Sequence, residues 1–112
     1  MSDPHRQWRG HDFWPPAAAL AAIPPLYGTE KVSAVDKVVH LHYFVGACDW
    51  WVVEYDPAEC LAFGYVCLGD PQMAEWGYIA LDELAEIFRL PIIVERDLGW
   101  TPRPAGEVIP YL

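Results

Sequence analysis

The stretch Val38-Val39-His40-Leu41-His42-Tyr43-Phe44-Val45-Gly46-Ala47-Cys48-Asp49-Trp50-Trp51-Val52-Val53-Glu54-Tyr55-Asp56-Pro57 decides the fold. Its apolar residues recur at every second position, the period of a strand with two distinct faces. Val39, Leu41, Tyr43 and Val45 share one face; Val38, His40, His42 and Phe44 share the other. Gly46 and Cys48-Asp49 turn the chain. A second strand then sets Trp51, Val53 and Tyr55 on one face and Trp50, Val52 and Glu54 opposite, until Asp56-Pro57 breaks it. Downstream, Leu61, Phe63, Tyr65 and Cys67 alternate with Ala62, Gly64, Val66 and Leu68 in a third strand that Gly69-Asp70-Pro71 ends. Short connections between successive strands favour an antiparallel meander.

Glu75-Trp76-Gly77-Tyr78-Ile79 reads as a fourth strand. Over 80–88, Leu81, Leu84, Ile87 and Phe88 fall on one helical face, with Asp82 and Glu83 in the first turn, where they suit the helix dipole, and Arg89 at the end. Pro91 ends that helix, and the β-branched run from Ile92 to Arg96 predicts a last strand. Upstream, Pro15-Pro16 followed by alanines predicts a short helix that Pro24-Pro25 stops. The expected fold is α+β: a mostly antiparallel sheet of four or five strands, one main helix packed on a face, and a short N-terminal helix, in the order α-β-β-β-β-α-β. Residues 1–13 are expected as a loosely held arm that Trp8 and Trp14 can anchor, and residues 14–112 as a single domain. The expected core is Trp51, Val53, Tyr55, Phe63, Tyr65, Leu84, Ile87 and Phe88.

The net charge is −9 over 112 residues, and between Lys37 and Arg89 stand nine carboxylates with no Lys or Arg. Such a field repels nucleic acid and attracts basic surfaces. No apolar run approaches the roughly 20 residues that span a bilayer, and Met-Ser-Asp-Pro-His-Arg at the start lacks the apolar core of a secretory signal. With three cysteines, Cys48, Cys60 and Cys67, an odd count, the expected compartment is a reducing cytoplasm. Their spacing offers no zinc-ligand pair, so they read as small buried apolar residues.

The ordered blocks His42-Tyr43-Phe44, Asp49-Trp50-Trp51-Val52-Val53-Glu54-Tyr55-Asp56, Phe63-Gly64, Trp76-Gly77-Tyr78, Leu81-Asp82-Glu83-Leu84 and Glu95-Arg96-Asp97-Leu98, with Pro25-Leu26-Tyr27 upstream, resemble the small bacterial proteins grouped as domain of unknown function 2958. The resemblance runs from about Ile23 to Trp100. It implies a bacterial cytoplasmic protein, often carried on plasmids and other mobile elements, and no assigned activity. In one departure from that pattern, Ala80 stands where serine usually precedes the helix, which argues for a structural position and not a catalytic one.

Chemistry-bearing residues are few. His40 and His42, two apart on one strand face, suit a metal whose third ligand is Asp49, Glu54 or Glu95; a polar strand face explains them equally. Glu54 and Asp56, at i and i+2, can share acid and base roles or simply edge the sheet. Arg96 points away from Glu95 and Asp97 and is expected in a structural ion pair with a carboxylate, the alternative being a ligand anchor. The chain has four Ser and Thr, none next to a histidine, and no phosphate-binding or nucleophile motif. No cofactor is expected. The expected function is a non-enzymatic, acidic protein-binding module of a bacterial mobile element. Its partner would have a basic surface, as in anti-CRISPR or anti-restriction inhibition of a nucleic-acid-binding defence system. Asp49, Trp50, Glu54, Asp56, Glu59, Asp70, Glu75 and Trp76 are its expected contacts, with several of the carboxylates clustered at one sheet edge. Direct binding to nucleic acid or membrane is not expected. The alternative is a small metal-dependent enzyme using His40, His42 and nearby carboxylates.

Overall fold

The computed structural model describes residues 2–112. Helices α1 (Arg6–Arg9) and α2 (Ala17–Ala21) precede strands β1 (Val38–Val39), β2 (Leu41–Val45), β3 (Cys48–Asp56), β4 (Leu61–Leu68) and β5 (Glu75–Ala80). Helix α3 (Leu81–Glu86) follows, then β6 (Phe88–Arg89), β7 (Ile92–Ile93), β8 (Glu95–Arg96), β9 (Arg103–Pro104) and α4 (Ala105–Val108). Strands β5-β4-β3-β2-β8 form one antiparallel sheet, while β1 pairs with β9 and β6 with β7 in two small ladders. This is the expected α+β class and the expected meander.

The expectation of one main helix is corrected. Helix α3 starts at Leu81 but ends at Glu86, and Ile87 is extended. The residue before a proline is driven out of the α region, and Leu90-Pro91 instead turns Phe88–Arg89 back onto Ile92–Ile93. Ile87, expected in the core, is therefore exposed, and Phe88 packs at the surface between His5 and Trp8. The start of α3 holds the residue that the sequence singles out. Ala80 occupies the N-cap with extended geometry and offers no side-chain acceptor to the first turn. Ala80→Ser should stabilise the chain by about 1 kcal/mol, read from urea midpoints; an unchanged midpoint would mean that these amides are already satisfied.

The sheet is covered on both faces, so residues Trp50 to Tyr55 of the central strand β3 are all buried. On one face Leu41, Tyr43, Trp50 and Val52 meet α3, Phe13 and Trp14; on the other Trp51, Val53 and Tyr65 meet Ala105 and Ile109 of the C-terminal segment. Met1, part of the expected arm, lies outside the described residues. The rest of that segment is docked. Phe13 stacks on Tyr43 at 4.3 Å, and its backbone carbonyl accepts a hydrogen bond from the Tyr43 hydroxyl at 2.9 Å. Buried Arg9 donates to the carbonyls of Val94 (2.6 Å) and Ala85 (3.0 Å) and pairs with the Asp3 carboxylate. Trp14 is buried and Trp8 is exposed.

Burial alone would raise the Asp3 pKa, but hydrogen bonds from Arg9 and from the amides of His5 and Phe13 outweigh it and hold it below the usual carboxylate value. A depressed carboxylate contributes stability that is present above its unfolded value of 3.8 and lost as pH falls through its folded value. Unfolding free energy should therefore decline below about pH 4, and Asp3→Asn should flatten that acid limb. An acid limb of unchanged steepness in the variant would contradict this assignment.

Candidate functional site

The central feature is a break in the β3–β4 ladder. Val52 pairs with Gly64 and Glu54 with Phe63, leaving Val53 as an extra residue, a β-bulge. The bulge shifts the alternation by one. Tyr55, expected beside Trp51 and Val53, joins Trp50 and Val52 on the other face, and Glu54 turns onto the Trp51 face, toward Phe63 and Trp76. Gly64 permits this: a Cβ there would lie 1.9 Å from the Trp51 carbonyl oxygen.

Past Val52, β2 no longer flanks β3, and the segment after Pro24 takes its place, with the Tyr55 amide donating to the Pro24 carbonyl at 2.9 Å. Glu54 therefore meets the Tyr27-Gly28-Thr29 turn. It is 4 % exposed, and its carboxylate accepts from the amides of Tyr27 (2.8 Å) and Thr29 (3.1 Å) and from the Thr29 hydroxyl. Lys37 closes the arrangement by donating to the Thr29 carbonyl and, at 3.0 Å, to its hydroxyl oxygen. Tyr27 is held at φ +68°, in the left-handed region that non-glycine residues avoid.

The held Tyr27 forms one wall of a cleft of about 390 Å³, lined by Glu30, Ala34, Lys37, Glu54, Phe63, Trp76 and Tyr78 as well. The sheet supplies its aromatic side through two matching triplets, Phe63-Gly64-Tyr65 and Trp76-Gly77-Tyr78. Their register sets Phe63 opposite Tyr78 and Tyr65 opposite Trp76. Phe63 and Trp76 lie parallel with centroids 5.9 Å apart, Phe63 and Tyr78 meet edge to face, and the hydroxyls of Tyr27 and Tyr78 are hydrogen-bonded at 2.8 Å.

A second polar cluster surrounds His42. Its Nδ1 lies 3.0 Å from Asp97 and its Nε2 2.7 Å from Asp49, while the ring stacks on Trp51. Carboxylates only accept, so both contacts are hydrogen bonds when both ring nitrogens carry hydrogen. The cluster ties β2, β3 and the chain after β8 together. With both nitrogens facing carboxylates, His42 has no lone pair aimed at a site shared with His40, which lines a separate hollow with Pro15, Pro16 and Arg96. Burial lowers the pKa of His40. Among the described residues no group of three or more His, Cys, Asp or Glu is placed to hold a metal ion. The expected pairing of Arg96 with a carboxylate is likewise replaced: its Nε donates to the Asp12 carbonyl at 3.1 Å, Asp97 is engaged by His42, and Glu95 lies 3.9 Å from His11.

A family model described as protein of unknown function (DUF2958) matches residues 27–105. The chain belongs to the DUF2958 family. The matched span begins at Tyr27 and contains every residue that lines the aromatic cleft. No curated protein and no solved structure matches the chain.

Seven of the eight contacts expected of this DUF2958 chain separate into three groups. Trp50 and Glu54 are buried and present no surface. Asp56 and Glu59 lie at the β3–β4 turn, whereas Asp49, Asp70 and Glu75 lie at the opposite end of the strands, about 23 Å away along β3. Three of the carboxylates thus share one end of the sheet and two lie at the other. At the Asp70 end two apolar side chains are exposed beside the acids, Leu68 at 71 % and Met73 at 77 %. A groove of about 470 Å³ runs among them, lined by Val66, Leu68, Asp70, Met73, Glu75, Gly77 and Tyr78. The Asp70 carboxylate caps the turn over Pro71–Met73 through the Gln72 amide at 3.0 Å, which fixes the position of Met73. Half-buried Trp76 faces the cleft and not this groove.

The cleft residues Tyr27, Lys37, Phe63 and Tyr78 are not among the contacts expected from sequence. The signal that could have found three of the rings is the repeated aromatic-Gly-aromatic triplet, since alternate residues of paired strands share a face.

Proposed function

We propose that this chain is a non-enzymatic protein-binding module that docks a partner with a basic surface at the β4–β5 corner. The observation that carries this reading is the combination there of exposed Leu68 and Met73 with Asp70 and Glu75, in a stretch without lysine or arginine from Val38 to Phe88. Exposed apolar side chains supply the desolvated centre of an interface, and rim carboxylates steer a cationic partner and select it. A nucleic-acid-binding protein has such a surface, and an acidic module occupying it would compete with nucleic acid by charge. That is the form of anti-defence inhibition proposed here, and it rests on charge complementarity. Among the described residues no helix is long and apolar enough to cross a membrane, and the reading requires none.

The test compares two charge reversals of equal size in partner capture across a salt series. Asp70→Lys with Glu75→Lys should weaken capture of a basic partner severalfold at low salt and less at high salt, while costing in stability only the roughly 1 kcal/mol of the lost Asp70 turn cap. Asp56→Lys with Glu59→Lys, at the far end of the sheet, should leave capture intact. Equal loss from both pairs would reduce the acids to a general field, and loss from neither would overturn the docking site.

A further inference from the structure

We infer that the cleft between Tyr27 and the Phe63–Trp76–Tyr78 wall binds an organic cation, an ammonium or guanidinium group, independently of the β4–β5 corner. Four aromatic rings from three separate segments converge on it, and π faces attract cations most strongly where water is displaced. Its volume of about 390 Å³ lies within the range of ligand sites, and its walls are mostly apolar with few polar groups, the pattern of a small-molecule site. Its charges favour a cation. Glu54 is satisfied by the 27–29 turn, and Lys37 is tied back to Thr29. The carboxylate of exposed Glu30 has no hydrogen bond or ion pair among the described residues and remains at the rim to meet a positive group.

The construction of the cleft supports the same conclusion. A left-handed tyrosine is a strained conformation that persists only where its surroundings fix it. Here a buried carboxylate, a bulge and a glycine that tolerates the bulge all combine to set the Tyr27 ring opposite Phe63 and Trp76. The Phe13–Tyr43 stack, by contrast, needs no such device and fills a core. A rigid, open aromatic wall set before water, with one free carboxylate at its edge, is suited to a cation whose charge is spread over methyl or guanidinium groups.

The experiment titrates the full chain with choline and, separately, with its uncharged isostere 3,3-dimethylbutan-1-ol, following the Trp76 indole N–H by NMR, assigned with Trp76→Phe. Choline should shift that signal saturably, and the isostere should bind about tenfold more weakly, the share that a desolvated cation–π contact supplies. Glu30→Gln should weaken choline a few fold without changing the fold, and Asp70→Lys with Glu75→Lys should keep the cleft's preference for choline over the isostere, separating this site from the corner. Short peptides carrying arginine, lysine or trimethyl-lysine form a second arm. A peptide that outcompetes choline assigns the cation to a protein side chain, and the reverse assigns it to a free small molecule. Equal binding of choline and the isostere would overturn the inference, as would a Trp76 signal that moves with neither choline nor any peptide.

Discussion

Replacing Gly64 with alanine should destabilise the chain by on the order of 3 kcal/mol or more, as seen in urea midpoints. The added methyl would sit 1.9 Å from the Trp51 carbonyl oxygen and 2.8 Å from its carbon. Both are backbone atoms of the central strand, so no flexible side chain can move aside. Relief requires either separating β3 from β4 or losing the bulge. Removing the bulge would shift the alternation past Val53 by one, turning Glu54 toward the apolar core and Tyr55 out of it. Gly77, directly opposite on β5, serves as the control: a Cβ there meets nothing within 4 Å, and Gly77→Ala should cost far less. Similar losses for both substitutions would show that the effect is general to strand glycines and that the bulge is not what requires Gly64.

Replacing Glu54 with alanine should cost about 3–5 kcal/mol. The carboxylate serves the Tyr27 and Thr29 amides and the Thr29 hydroxyl, and truncation strands those donors. Tyr27 would then lose the contact that holds φ at +68°, so the cleft should open together with the loss of stability. Glu54→Gln keeps one acceptor oxygen but turns an N–H group toward a donor, and should recover only part of the loss. Hydrogen exchange at the Tyr27 and Thr29 amides reads the local effect: both should be protected in the parent chain and exchange rapidly in Glu54→Ala. Retained protection at both amides would show that the turn is held by other means.

Much of the fold is legible in the sequence because the meander is local. Period-two alternation in β2, β3 and β4 gives the strands, and Pro-rich or Gly-Asp breaks give their ends. Helix α3 starts where the acids and Ala80 place it. Its end is misread because the apolar spacing continues through Ile87 and Phe88, and only the β6–β7 pairing, a tertiary fact, decides against the helix. The bulge leaves a single trace, a glycine inside a strand, which marks either a bulge or a close backbone approach. The burial of Glu54 leaves none. It depends on a turn 25 residues upstream, and an isolated carboxylate on a strand reads as solvated until its donors are placed. The same holds for His42, whose Asp97 partner lies 55 residues along the chain. The acidic residues were legible as composition, but their division between two ends of the sheet follows only from register.

The docking claim is tested most directly by replacing Met73 with a photo-crosslinking residue, with Ala58 at the β3–β4 turn as the far-end control, and irradiating cells that contain each chain. Crosslinking from position 73 to a protein with a basic surface, weakened by Asp70→Lys and Glu75→Lys in the same chain and not matched from position 58, is the predicted result. Equal crosslinking from both positions, or a product at position 73 that survives the reversals, would contradict it.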